Sequence, residues 1–288
     1  QGDLPGALSS YEAGLAIAEE LAGRDAGNTE WQRDLSVSHN KIGDVRRAQG
    51  DLPGALSSYE AGLAIAEELA GRDAGNTEWQ RDLSVSHNKI GDVRRTQGDL
   101  PGALSSYEAG LAIAEELAGR DAGNTGWQRD LSISHDRIGD VRVAQGDLPG
   151  ALSSYEAGLA IREELAGRDA GNTEWQRDLS VSHNKIGDVR VAQGDLPGAL
   201  SSYEAGLAIR EELAGRDAGK TEWQQDIWFG LMKLALLPRT IILREKALDY
   251  AERGLAIGRV LVDRDPTNVV WARALDSTVQ VLEGLRAE

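Results

Sequence analysis

The chain repeats itself every 48 residues, and that period restricts its fold more than any other feature. The stretch from Trp31 to Glu78 recurs almost letter for letter, with Trp31, Trp79, Trp127, Trp175, Trp223 and Trp271 at one position. Tyr11, Tyr59, Tyr107, Tyr155 and Tyr203 mark a second. A fixed period of this length signals a solenoid, whose units bury a core only against their neighbours and need about three copies for stability. The 288 residues therefore read as one array rather than two ordinary domains. Its parts are residues 1–30, the second helix of a partial unit; 31–222, four near-identical units; and 223–288, a divergent unit with a capping helix.

Within a unit the apolar spacing is helical. Leu4, Ala7, Leu8, Tyr11, Gly14, Leu15, Ala18 and Leu21 recur at intervals of three and four, the stripe of an amphipathic helix, here helix B. Asp3 is placed to cap it and Pro5 is tolerated in its first turn. It should stop near Asp25; the sixth copy reads Asp265-Pro266 there, and proline cannot continue a helix. Thr29 followed by Gln32 reads as a capping box opening helix A. Trp31, Leu35, Ser38, Ile42 and Val45 form its core face, while Arg33, Val37, Asn40, Asp44 and Arg47 form a second row. Helix A ends at Gln49-Gly50-Asp51. Each helix spans roughly 18 to 20 residues, or about 30 Å. The expectation is an all-α solenoid of about eleven long helices in antiparallel pairs. Gln1 aligns with Gln49, so the chain starts inside a unit, as expected of a piece of a longer protein.

Ile42-Gly43, Val45, Gly50-Asp51, Ala55, Tyr59, Gly62 and Leu63 resemble the tetratricopeptide repeat. That motif places Leu-Gly in helix A, Gly-Asp in the turn, and alanine, an aromatic and a small residue in helix B. The period here is 48 rather than 34. The extra length falls at the outer ends of both helices, and His39 and Arg46 stand where the family often has Trp and Tyr. Gly43 and Gly62 make sense as points of close helix approach, since glycine at mid-helix otherwise costs about 1 kcal/mol. The resemblance implies a right-handed superhelix with the A helices lining its concave face, and a binding role rather than a reaction.

Charge narrows the partner. Formal net charge is −16, and the unit 51–98 carries eight acidic against five basic residues, so the acidity belongs to the repeat. Such an array repels phosphate backbones and anionic membrane surfaces, which points to a protein or peptide partner and away from nucleic acid and membrane. No run approaches the ~20 apolar residues of a membrane span. With no cysteine there is no disulfide framework or thiolate metal site. No secretory signal is visible, and the chain reads as cytoplasmic.

Few residues offer chemistry. His39, His87, His135 and His183 form a ladder on A helices that should pack about 8 to 10 Å apart, too far for equivalent imidazoles to share an ion. They read as packed histidines, with no metal or cofactor. Asp34, Ser36 and His39 supply the residue types of a catalytic triad but share one helix without oxyanion donors, so no enzyme is expected. Gly-Asp-Leu-Pro-Gly resembles a phosphate loop only in its glycines. The tryptophans read as core anchors at the entry of helix A.

The second row is the candidate binding face: Arg33, Val37, Asn40, Lys41, Asp44 and Arg47, with Asn88, Asp92, Arg95, Asp136, Asp140, Asn184 and Asp188 in later copies. Its bland reading is a solvated charged face. The resemblance favours contact with a partner, because in that family these positions point into the groove. Some relatives clamp a chain-terminal carboxylate, but the aspartates inside the row speak against that, and Asn40 and Lys41 suit a peptide backbone better. In the fifth unit Phe229, Met232 and Leu236 take the places of Val37, Asn40 and Asp44, and Trp228 that of Ser36. A helix apolar all round is normally buried all round. The chain's own tail is the first candidate to cover it, and a second copy or a peptide the other. The leading function is a non-catalytic interaction scaffold. The alternatives are a sensor or regulatory arm of a multidomain bacterial signalling enzyme, and a self-assembly module joining copies through the C-terminal unit. The near-identity of the copies fits recent duplication and design equally.

Overall fold

A computed structural model describes residues 3–217 and 219–288. Gln1 and Gly2, which open the turn read before the first helix, lie outside the described residues. Twelve α-helices follow one another, with no strand among the described residues. They are α1 (Leu4–Arg24), α2 (Thr29–Ala48), α3 (Leu52–Arg72), α4 (Thr77–Thr96), α5 (Leu100–Arg120), α6 (Thr125–Gln145), α7 (Leu148–Arg168), α8 (Thr173–Gln193), α9 (Leu196–Arg216), α10 (Thr221–Ala235), α11 (Arg244–Arg264) and α12 (Val269–Ala287). Eleven have 19 to 21 residues and α10 has 15, so the count is one above the expectation. The helices form two compact units, Gln1–Asp147 and Leu148–Glu288. In each, consecutive helices pack on one another.

The ends of the helices follow from their caps. Asp51 Oδ1 accepts from Gly54 N at 2.9 Å, and Asp99 and Asp195 do the same for Gly102 and Gly198. The A helices start differently from the sequence reading. Asn28, not Thr29, is the N-cap, its Oδ1 accepting from Trp31 N at 3.1 Å; Thr29 falls inside the helix. Asn76, Asn124, Asn172 and Asn268 repeat this bond to their tryptophans. Asparagine outranks threonine as a cap, which explains the shift of one residue. At the fifth copy Lys220 stands at this place and makes no side-chain cap. The turn from A to B is set by Gly50, Gly98, Gly146 and Gly194, with φ of 80 to 83°. Only glycine takes that left-handed conformation freely.

Each repeat core is small and identical in plan. In the first unit Ala55 and Tyr59 of α3 meet Ile90 and Val93 of α4, and Ala103 and Tyr107 of α5 meet Ile138 and Val141 of α6. The tyrosine also lies flat on the preceding A helix. A Cβ on Gly43 would come within 2.4 Å of the Tyr59 ring, and one on Gly91 within 2.5 Å of Tyr107. These glycines are therefore close-approach points. Arg46 and Arg94, standing where the repeat family has an aromatic, reach across the turn to Ser58 and Ser106 of helix B at 3.1 Å.

The second unit starts with the same plan in α7 and α8 and then changes. Around α10 the core gains Leu231, Leu234, Ile242, Tyr250 and Leu282. A second cluster joins Trp228 of α10 to Leu261 of α11 and Trp271 of α12.

Candidate functional site

The second row splits into an inner and an outer half. Its aspartates are tied up within the array. Tyr59 Oη donates to Asp44 at 2.8 Å, and Lys89 from the next copy donates to the same carboxylate at 2.5 Å. Asp92 holds Tyr107 Oη at 2.7 Å, with Arg47 at 3.3 Å and Arg137 at 3.5 Å. Asp188 holds Tyr203 at 2.6 Å and Lys233 at 2.5 Å. Arg33 donates to Asp82 at 2.6 Å and pairs with Glu78 at 2.7 Å. Arg81 with Asp130 and Arg177 with Asp226 repeat the first of these bonds. Asn88 and Asp136 are buried, Asn40, Asp140 and Asn184 half-buried, and Asn40 Nδ2 donates to Ser86 at 3.4 Å.

The outer half faces solvent: Arg47 and Arg95 are exposed, and Lys41 lies beside the row, also exposed. Within residues 31–222 the large apolar side chains exposed are Val37, Val85, Val143 and Val191, at 38 to 41%. All four lie on this row, the last two at the places of Arg47 and Arg95. A cavity of about 310 Å³ opens beside Val85, lined by α4, α5 and α6 and by Arg47. At the fifth copy Phe229 and Met232 are half-buried and packed against the Trp228 cluster with α11 and α12, whereas Leu236 is 62% exposed.

No family model matches the chain, and no curated protein matches it. Solved structures do. BtubC from P. vanneervenii superposes with a TM-score of 0.71 at 18% identity, covering 91% of this chain and 93% of its own. A putative kinesin light chain of P. anserina, with nearly identical TPR-like repeats, gives 0.57 at 16% identity over 76% of this chain and 92% of its own. The apo form of RapI gives 0.58 at 12% identity over 99% and 94%. The chain is a TPR-like helical array. Its 48-residue units make it a long variant of that repeat.

The serines of the TPR-like array have structural partners. Ser36 Oγ donates to the Gly62 carbonyl at 2.8 Å and Ser84 to that of Gly110 at 2.9 Å, so the triad-type serine is spent on packing. Among the described residues no three His, Asp or Glu side chains come together as metal ligands, and no helix is long and apolar enough to cross a membrane. Two arginines of the B helices are buried. Arg162 and Arg210, at the place of Ala66 and Ala114, are each 5% exposed. The change from small apolar to long and charged at a helix position facing the core was the signal available in the sequence.

The four histidines are half-buried, and burial pushes each imidazole below its ordinary pKa, with Glu67 opposing the shift at His87. Below about pH 6.5 the unfolded chain then binds more protons than the folded one. Stability should fall as pH drops through that range and level off once the folded imidazoles are also protonated. Urea midpoints measured from neutral pH to about 5 should show this fall. Replacing all four histidines by glutamine should flatten it; an unchanged slope would assign the effect to carboxylates.

Proposed function

We propose that this array is a non-catalytic scaffold that holds a protein or peptide partner, in a cytoplasmic setting, on the face carrying the second row. The observation behind this is the valine series. A solvated face has no use for an apolar side chain at one row in successive copies, and Val37, Val85, Val143 and Val191 are the large apolar residues left exposed in the regular repeats. Apolar spots set among paired charges are how a binding face gains affinity while the charges set register. Fold alone does not settle function, but the TPR-like architecture supports an interaction role.

Val85→Glu with Val143→Glu tests the reading. Both side chains are exposed, so helix content and melting should stay unchanged. Partners captured by the intact array and identified by mass spectrometry should be lost at least tenfold. Undiminished capture, with loss instead on Phe229→Asp plus Met232→Asp, would move the partner to the C-terminal unit. Light scattering of that second pair also reports on self-association there.

A further inference from the structure

The exchange of alanine for arginine along the array changes what fills one socket. Arg210 shows where the guanidinium goes. Its Nε donates to Ser180 Oγ at 3.3 Å and its Nη1 to the Asp226 carbonyl at 3.1 Å. The Asn184 carboxamide, its oxygen turned toward the guanidinium, accepts from both terminal nitrogens at 2.6 and 2.5 Å. Gly230 replaces the serine of earlier copies, and a Cβ there would lie 2.9 Å from Nη1. The serine is no bar to a buried arginine, however: Arg162 donates to Ser182, at the equivalent place one copy earlier, at 2.5 Å.

Two periods earlier, Ser84, Asn88 and Asp130 hold the places of Ser180, Asn184 and Asp226, and Ala114 that of Arg210. All four line the cavity of about 310 Å³ in the first unit. Asn88 is 8% exposed, and its Oδ1 lies against Gly110 with no hydrogen-bond partner; the turn of the carboxamide that serves Arg210 at Asn184 would present this oxygen to the cavity. Ser84 gives its hydrogen to Gly110, as Ser180 does to Arg177, so each hydroxyl keeps lone pairs to accept with. The cavity thus repeats the Arg210 socket without its arginine, with Ser134 at the place of Gly230 donating to the Asp130 carbonyl at 3.1 Å, a bond the guest displaces or shares. The cations at its rim are all engaged by carboxylates: Arg81 by Asp130, Lys89 by Asp44, and Arg47 and Arg137 together by Asp92. Arg210 has a similar rim with one cation fewer: Arg177 pairs with Asp226 and Lys233 with Asp188, and Val143 takes the place of Arg47 in the sequence. The net charge of −16 favours a basic guest from a distance.

We propose that the Ala114 cavity receives an arginine side chain of the partner protein, held by Asn88, Ser84 and the Asp130 carbonyl as Arg210 is held by their counterparts. The flat guanidinium offers five donors in a fixed fork, and the socket offers acceptors spread to match; an ammonium would leave some unmet. The array then carries open sockets where alanine stands and self-filled ones where arginine does. This rests on the protein-binding reading, but its test needs no partner.

The full chain is titrated with agmatine while the Asn88 side-chain amide and the Trp127 indole N–H, both at the cavity, are followed by NMR. Saturable shifts at both are expected, and N-acetylglutamate should produce none. Ala114→Arg should abolish the shifts with helix content and melting retained, since the chain then fills its own socket. Arg210→Ala should open a new site that shifts Asn184 with agmatine; if that variant does not fold, the Ala114→Arg arm decides alone. A capped Gly-Arg-Gly peptide should bind at least as tightly as agmatine. No shift at Asn88, a preference for the acid, or shifts surviving Ala114→Arg would overturn the proposal. Weaker binding of the peptide would assign the socket to free guanidines and overturn its protein source. Loss of the agmatine site with partner capture intact leaves the scaffold reading standing; the reverse result leaves the socket and removes the scaffold.

Discussion

Trp228→Ala is expected to lower stability by about 3 to 5 kcal/mol and to release the last helices first. Trp228 is 0% exposed and forms a cluster with Leu261 of α11 and Trp271 of α12. Its ring lies so close to α11 that a Cβ on Gly258 would approach Cζ2 within 2.6 Å. Its Nε1 donates to Thr278 Oγ1 at 3.0 Å, and Thr278 in turn donates to the Ala274 carbonyl at 2.8 Å. Alanine would leave a hole bounded by three helices that cannot all collapse into it. Because repeat arrays lose stability by neighbouring units, the loss should be local. Urea unfolding followed by circular dichroism, with hydrogen exchange read over α11 and α12, checks both size and place. A loss below about 1 kcal/mol, the level of an ordinary substitution, would show that the tail does not depend on this ring.

The second large effect is expected at Tyr107. Its ring is 0% exposed, lies on Gly91 and meets Ile138 and Val141 of the next A helix, so it joins three helices. Tyr107→Ala should cost about 3 to 5 kcal/mol, as for other buried aromatics. Tyr107→Phe should cost only about 1 kcal/mol, because Asp92 loses one donor but keeps Arg47 and Arg137. Burial and the bond to Asp92 push the tyrosine hydroxyl above its ordinary pKa, so it stays a donor throughout the accessible range. Equal losses for the two variants would place the whole effect in the hydroxyl and contradict the packing account.

The period and the apolar spacing carried the fold: they specify helix pairs, the glycine turn and Gly43 as a point of close approach. They do not specify what an opposing helix places against a given face. For that reason the row at Asn40, Asn88 and Asp136 looked open but is in part buried, and the partners of buried Arg162 and Arg210 were not legible. The cap moved from Thr29 to Asn28 because asparagine is the stronger of two adjacent candidates. The fifth unit was more legible. Its excess of apolar residues demanded cover, and α11 and α12 now lie over Trp228, with Phe229 and Met232 at the margin and Leu236 left outside.

Asp44, Asp92 and Asp188 each take one hydrogen bond from their own copy's tyrosine and a cation from the copy beside it. Asp44 to Lys89, Asp92 to Arg137 and Asp188 to Lys233 all span 45 residues. Excising residues 79–126 would bring Arg137 to the place of Lys89, opposite Asp44, and every such bond would close again. Near-identical copies invite recombination at the level of the gene, which adds or removes whole units. The bonding scheme makes such events harmless to the chain, so array length, and with it the number of sockets, is a quantity that can drift between relatives while the fold stays constant.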